Sequence, residues 1–189
     1  MKPVTLLWLG LALEVPLFAA GALWMGLQGL DWSAALRPTL DGTALGVGLG
    51  VLGAGLSVGM LVLGPALPGL RAYRQWVEAV LVPIFGSLGP MEAAVLAASA
   101  GLGEETFFRG ALQPAIGLVP TAVIFGLAHV GLPRRELLPM LLYAFGFGLA
   151  LGLLRTWLPL WPLVVAHAVL DLIDLSYIRL KLAPSTRLR

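Results

Sequence analysis

The chain has no cysteine, which excludes disulfides, thiolate zinc sites and cysteine nucleophiles. Charge is scarce as well: only 12% of the 189 residues are Asp, Glu, Lys or Arg, about half the share of an average soluble domain. Ser-rich linkers and low-complexity runs are missing, so no flexible segment divides the chain. What is abundant is apolar, 59% of the residues, and it comes in long runs. A soluble globular domain is thereby excluded, and an all-α, polytopic integral membrane bundle is expected, one domain over residues 1–189. The pI of about 9.4 comes from arginines between and after the apolar runs, a topology signal rather than a nucleic-acid surface.

Six spans are expected, at about 4–27, 42–64, 89–112, 118–131, 137–157 and 160–178. The first is too long for a signal-peptide core and is read as a retained helix. Residues 71–86 begin basic and amphipathic and suggest an interfacial helix. Gly46/Gly50 and Gly55/Gly59, four residues apart, read as faces that let helices approach closely in lipid, as do Gly146, Gly148 and Gly152. With the N-terminus inside, Lys2, Arg71, Arg74, Arg134, Arg135, Arg179, Lys181, Arg187 and Arg189 fall on the cytoplasmic side, against Arg37 and Arg155 outside. This bias places both termini in the cytoplasm.

An ionisable residue inside a membrane costs about 2.5–3.5 kcal/mol on insertion scales and persists where it pairs or lines a wet cavity. Glu14, Glu92, Glu104, Glu105, Arg109, His129, His167, Asp171 and Asp174 all lie within the spans. Glu105 and Arg109, four apart, can neutralise each other on one helix face. Glu104 is then the carboxylate left over, and one held away from bulk water suits a general base. The chain's two histidines each have a neighbour four residues away, Phe125 for His129 and Asp171 for His167. Asp174 shares the face of His167 and Asp171. Glu14, just before Pro16, and Glu92, near a span's start, are read as interfacial or paired. Ser57, Ser87, Ser99 and Ser176 sit in neither a Gly-x-Ser-x-Gly elbow nor a Ser-x-x-Lys pair, and His-Glu-x-x-His is absent. A Glu/His/His/Asp set on three helices suits the activation of a water, with or without a metal.

Glu104-Glu105-Thr-Phe-Phe-Arg109, Phe125-Gly-Leu-Ala-His129 and His167-Ala-Val-Leu-Asp171 resemble, in order, the EExxxR, FxxxH and HxxxN/D motifs of the CAAX prenyl protease and bacteriocin-processing family, the CPBP or ABI intramembrane proteases. The resemblance covers about residues 89–178. It implies a glutamate-type membrane endopeptidase in which Glu104 and His129 activate water, His167 and Asp171 complete the site or steady the oxyanion, and Glu105, Arg109 and Phe125 shape the cleft. Where the family often has asparagine this chain has Asp171, which when ionised only accepts hydrogen bonds. Zinc held by Glu104, His129, His167 and Asp171 is left open at this point. The expected partners are membrane lipid and a hydrophobic or membrane-anchored peptide, with no nucleic acid, and the compact chain without an organelle-targeting segment is expected in a prokaryotic cytoplasmic membrane. A non-catalytic scaffold or immunity protein that binds a hydrophobic peptide is the alternative; a small transporter is disfavoured by the lack of an inverted repeat.

One geometric conflict follows. His129 belongs near the cytoplasmic end of the fourth span and His167 less than two turns from the outer end of the sixth, a mismatch on the order of 10 Å. A break at Gly101-Leu-Gly103, with Glu104 opening a new segment beside a polar cavity, is expected to reconcile them.

Overall fold

A computed structural model describes residues 2–130 and 138–183, and among them there is no β-strand. The long helices are α1 (Pro3–Leu27), α3 (Leu40–Leu63), α6 (Pro90–Glu104), α8 (Leu118–Val130), α9 (Leu138–Leu154) and α10 (Leu160–Tyr177). Short helices connect them: α2 (Trp32–Ala35), α4 (Pro68–Trp76), α5 (Val82–Phe85) and α7 (Gln113–Ile116). Three π-helical stretches, Val77–Leu81, Glu105–Leu112 and Ile178–Leu182, continue α4, α6 and α10. Local chemistry sets several starts. The Asp31 carboxylate accepts the Ala34 N–H at 3.0 Å, and the Thr39 hydroxyl accepts the Gly42 N–H at 3.1 Å, each satisfying an otherwise free amide of a first turn. Pro3, Pro68 and Pro90 open their helices, where a missing N–H costs nothing.

Burial along α1 is inverted relative to a water-soluble helix. It buries Glu14, Gly21, Ala22 and Met25 and leaves Trp8, Leu9, Leu13, Leu23 and Leu27 exposed, as expected where lipid is the solvent. The chain is an integral membrane protein, but six crossings are not confirmed. Among the described residues, α1 and α3 are long and apolar enough to cross. A third crossing, or a re-entrant element, would need the pair Leu70–Phe85 and Pro90–Ile116, which bends by 111°. Leu118–His129 and Met140–Leu154 are shorter apolar helices, at about 1.5 Å per residue too short for a full hydrocarbon core. The Gly131-Leu-Pro133 break and Arg134, Arg135, Arg187 and Arg189 lie outside the described residues.

Small residues decide which helices touch. On α3, a Cβ at Gly46 or Gly50 would come within 2.6 Å of the Pro162 or Ala166 carbonyl oxygen, so α10 lies directly on that face and runs parallel to α3. Gly55 and Gly59, expected to pack likewise, have nothing within 4 Å, and neither has Gly146; Gly148 and Gly152 do pack, on Phe125 and on Leu118 with Gln113. On the other side of the bundle, α1 runs parallel to α6 and its π-helical continuation. Glu14 lies against Gly103, Gly21 against Thr106 and Phe107, and Met25 against Gly110.

Gly101 and Gly103 do not break the chain; α6 passes through them in regular helix to Glu104. Their missing side chains admit neighbours instead: the Val164 carbonyl and Ala168 at Gly101, and Glu14 at Gly103. The change comes one residue later, where the backbone widens into the π-helical stretch Glu105–Leu112.

Candidate active site

The depth conflict is resolved by where the helices start. Ala111 and Leu160 share one buried cluster, so α10 begins deep in the bundle rather than at the level of α8. From Ala111 the chain rises by about 9 Å to Gly117. There a φ of 89°, comfortable only for glycine, turns it back. The descent along α8 is about 18 Å and leaves His129 about 9 Å below Ala111. Along α10, His167 lies about 10 Å below the same level, and Glu104 lies at a similar distance back along the third segment. The three side chains therefore meet without a broken helix.

His129 Nε2 is 3.7 Å and His167 Nε2 3.9 Å from the same atom, Glu104 Oε2. The other nitrogen of each ring is already engaged. His129 Nδ1 donates to the Phe125 carbonyl at 2.8 Å, the preceding turn of its own helix, and His167 Nδ1 is 2.8 Å from Glu105 Oε1. These bonds fix both rings with Nε2 toward Glu104, the usual way a second partner orients a working imidazole. Asp171 Oδ2 lies 3.6 Å from His167 Nε2. Glu104, His129, His167 and Asp171 thus share one site, together with Glu14 and Asp174, on the wall of a cavity of about 350 Å³.

Behind the site, Glu105 and Arg109 are buried completely, with Nη1 3.1 Å from Oε1. Arg109 also donates to the Gly148 carbonyl at 3.3 Å and lies over the Phe125 ring, 4.2 Å from its centroid. Phe125 is a hub: its ring also meets those of His129, at 4.4 Å between centroids, and Phe108, at 5.0 Å. Glu105 does more than balance Arg109, since the same Oε1 accepts from His167. Pairwise spacing along one helix cannot reveal that bond, because its partners are 62 residues apart.

Of three further acidic residues, Glu14 is the one that departs from expectation. Asp174 is tied to α3, accepting from the Ser57 hydroxyl at 2.6 Å. Glu14 is neither interfacial nor paired: it is buried near the middle of α1, and its Oε2 has no hydrogen-bond partner. A lone carboxyl in mid-span with no basic residue one turn away was the signal for it. Glu92 lies in the first turn of α6 and folds back over Gly89, where the helix N-terminus favours an anion.

Two free imidazole nitrogens and carboxylate oxygens are donor types that suit zinc. A tetrahedral ion with bonds of 2.0–2.1 Å sets its ligand atoms ~3.3 Å apart, a few tenths of an ångström closer than the 3.6–3.9 Å seen here. Among the described residues, no group of three or more His, Asp or Glu is placed to hold an ion.

Helices that bury carboxylates and imidazoles together while exposing leucine define a membrane protein with a polar reaction-type site in its interior. Residues 86–173 match the family model described as type II CAAX prenyl endopeptidase, Rce1-like; over that segment the match bears out the resemblance to the CPBP family carried by the three motifs. The matched segment is somewhat under half of the chain. It contains Glu104, Glu105, Arg109, Phe125, His129, His167 and Asp171, and leaves out Glu14, Ser57 and Asp174. No curated protein and no solved structure matches the chain significantly.

Proposed function

We propose that this chain is an intramembrane endopeptidase that hydrolyses a peptide bond of a membrane-associated peptide or protein by an activated water. The observation that carries the reading is the convergence of two oriented Nε2 atoms on one carboxylate oxygen of Glu104. A water held between Glu104 Oε2 and His129 Nε2 gives its proton to Glu104 as its oxygen attacks the carbonyl carbon. His167, set between Glu105 and Asp171, bonds Glu105 through Nδ1 and, as imidazolium, offers Nε2–H to the developing oxyanion. Collapse of the tetrahedral intermediate breaks the C–N bond, and the proton on Glu104 passes to the leaving nitrogen. Glu105 acts through His167 and is a positioning residue, while Arg109 and Phe125 hold Glu105 and His129 in place. The steps above use the chain's own residues, and none is routed through a metal.

The substrate class follows from the setting: an apolar, membrane-embedded or membrane-anchored segment. The lipid bilayer is the only other partner assigned; the arginine and lysine bias favours both termini on the cytoplasmic side, and a prokaryotic cytoplasmic membrane is the proposed setting. The test compares wild type with Glu104→Gln on a labelled membrane-peptide library, with and without a chelator. Loss of about 10²–10⁴-fold in turnover is expected for the variant, and no effect of the chelator on wild type. Equal cleavage by both proteins would remove Glu104 from the mechanism. Peptide binding without cleavage by wild type would move the reading to a non-catalytic scaffold.

A further inference from the structure

The wall of the site cavity is lopsided in charge. Glu14, Glu104, Asp171 and Asp174 line it, against His129 and His167, and among the described residues no lysine or arginine does. The Arg109 guanidinium is buried behind the site on Glu105 and the Phe125 ring. Even with both imidazoles protonated, the carboxyl groups outnumber the cations. Each histidine turns its Nδ1 away, to the Phe125 carbonyl and to Glu105, and the Tyr73 and Tyr143 hydroxyls on the same wall are neutral donors. Three carboxylate oxygens, Glu14 Oε2, Glu104 Oε2 and Asp174 Oδ1, are buried without a hydrogen-bond partner.

Glu14 is the most telling of these. Its side chain is 93% buried, being 7% exposed. It reaches the cavity because Gly103, beside Glu104, has no side chain; a Cβ there would stand 2.6 Å from Glu14 Oε2. It comes from α1, outside the Rce1-like segment. Nothing in the water mechanism above uses it.

From this wall we infer that the cavity is a specificity pocket for a cationic side chain, a lysine-type ammonium within about two residues of the scissile bond, with Glu14 as its principal anion and Asp174 as a second. The inference rests on the peptidase reading for its substrate and adds the charge that the substrate carries. A primary ammonium brings three N–H donors and a positive charge, which is what the unpartnered oxygens lack. Charge-assisted bonds of this kind are strongest where water is excluded. The same wall disfavours an acidic residue at that position, since its carboxylate would stand beside the Glu14 and Asp174 carboxyls.

The experiment uses the full chain in lipid nanodiscs and reduced-amide peptides, which cannot be cleaved, with lysine or norleucine at each of the two positions on either side of the scissile bond. At one position lysine is expected to bind at least about tenfold tighter than norleucine, and Glu14→Gln to cut that ratio below about threefold. Asp174→Asn, which keeps an acceptor for Ser57, narrows the ratio too and serves if the first variant does not fold. Equal binding of lysine and norleucine peptides by wild type, or a ratio unmoved by both variants, overturns the inference. Cleavage of the matching amide peptides separates the two readings. Cleavage without lysine preference leaves the peptidase standing and removes the pocket. Lysine-selective binding without cleavage does the reverse.

Discussion

Glu105→Leu tests whether Glu105 serves stability, chemistry or both. In the wild-type chain Oε1 of this residue faces Arg109 Nη1 at 3.1 Å and accepts from His167 Nδ1 at 2.8 Å, with no exposure of the carboxylate. Removing one partner of a fully buried ion pair costs about 3–5 kcal/mol, because the other charge is left without compensation. At 2–4 °C per kcal/mol for a chain of this size, the melting temperature should fall by roughly 6–20 °C. Replacing both partners, Glu105→Leu with Arg109→Met, removes the stranded charge and should recover most of that loss. Turnover should behave differently. In both variants His167 has no acceptor for Nδ1, so its Nε2 is no longer held toward Glu104, and cleavage should stay down by about a hundredfold or more. The assay pairs thermal unfolding in nanodiscs with initial cleavage rates. If the double variant regained activity together with stability, Glu105 would be only a counterion and the positioning of His167 would be refuted. A single variant melting within about 2 °C of wild type would refute the stability argument.

Further outcomes follow from particular contacts. Gly50→Ala should lower stability by about 1–3 kcal/mol, since its Cβ would meet the Ala166 carbonyl at 2.6 Å and Val169 at 2.7 Å. Gly55→Ala, with nothing within 4 Å, should shift the melting temperature by no more than about 2 °C; equal losses at the two sites would show that the α3–α10 contact is not what fixes them. Asp171→Asn keeps an oxygen near His167 and adds a donor, so turnover should stay within about tenfold of wild type, while Asp171→Ala should lose more. An asparagine variant as inactive as Glu104→Gln would mean that the charge at 171 is required.

Much of the site was legible in the sequence because its chemistry is local. Glu105 and Arg109, or His129 and Phe125, lie one turn apart, and one turn is what helical spacing reads. Bonds between helices were not legible: Glu105 to His167 and Ser57 to Asp174 depend on which faces meet, and that is set by glycines whose neighbours lie far along the chain. For the same reason Gly46 and Gly50 could not be told from Gly55 and Gly59. The depth of the histidines was misjudged because each apolar run was taken to begin at a membrane surface, whereas α10 begins beside Ala111. The six-span count rested on the same assumption: apolar composition is shared by helices that cross and by shorter ones packed within a bundle.

The resting place of Glu14 against Gly103 also bears on how the protein is made. α1 leaves the ribosome long before α6 exists, and it carries a carboxyl near its middle for which an insertion scale charges about 2.5–3.5 kcal/mol. Its leucines suffice to hold it in lipid, yet the residue that houses that carboxyl arrives much later in synthesis. Until α6 docks, the first helix is a membrane segment with an unhoused acid, the kind of feature by which a quality-control protease could tell an orphan helix from an assembled one. Changes at Gly103 would then lower the amount of protein in the cell before they altered anything the assembled protein does.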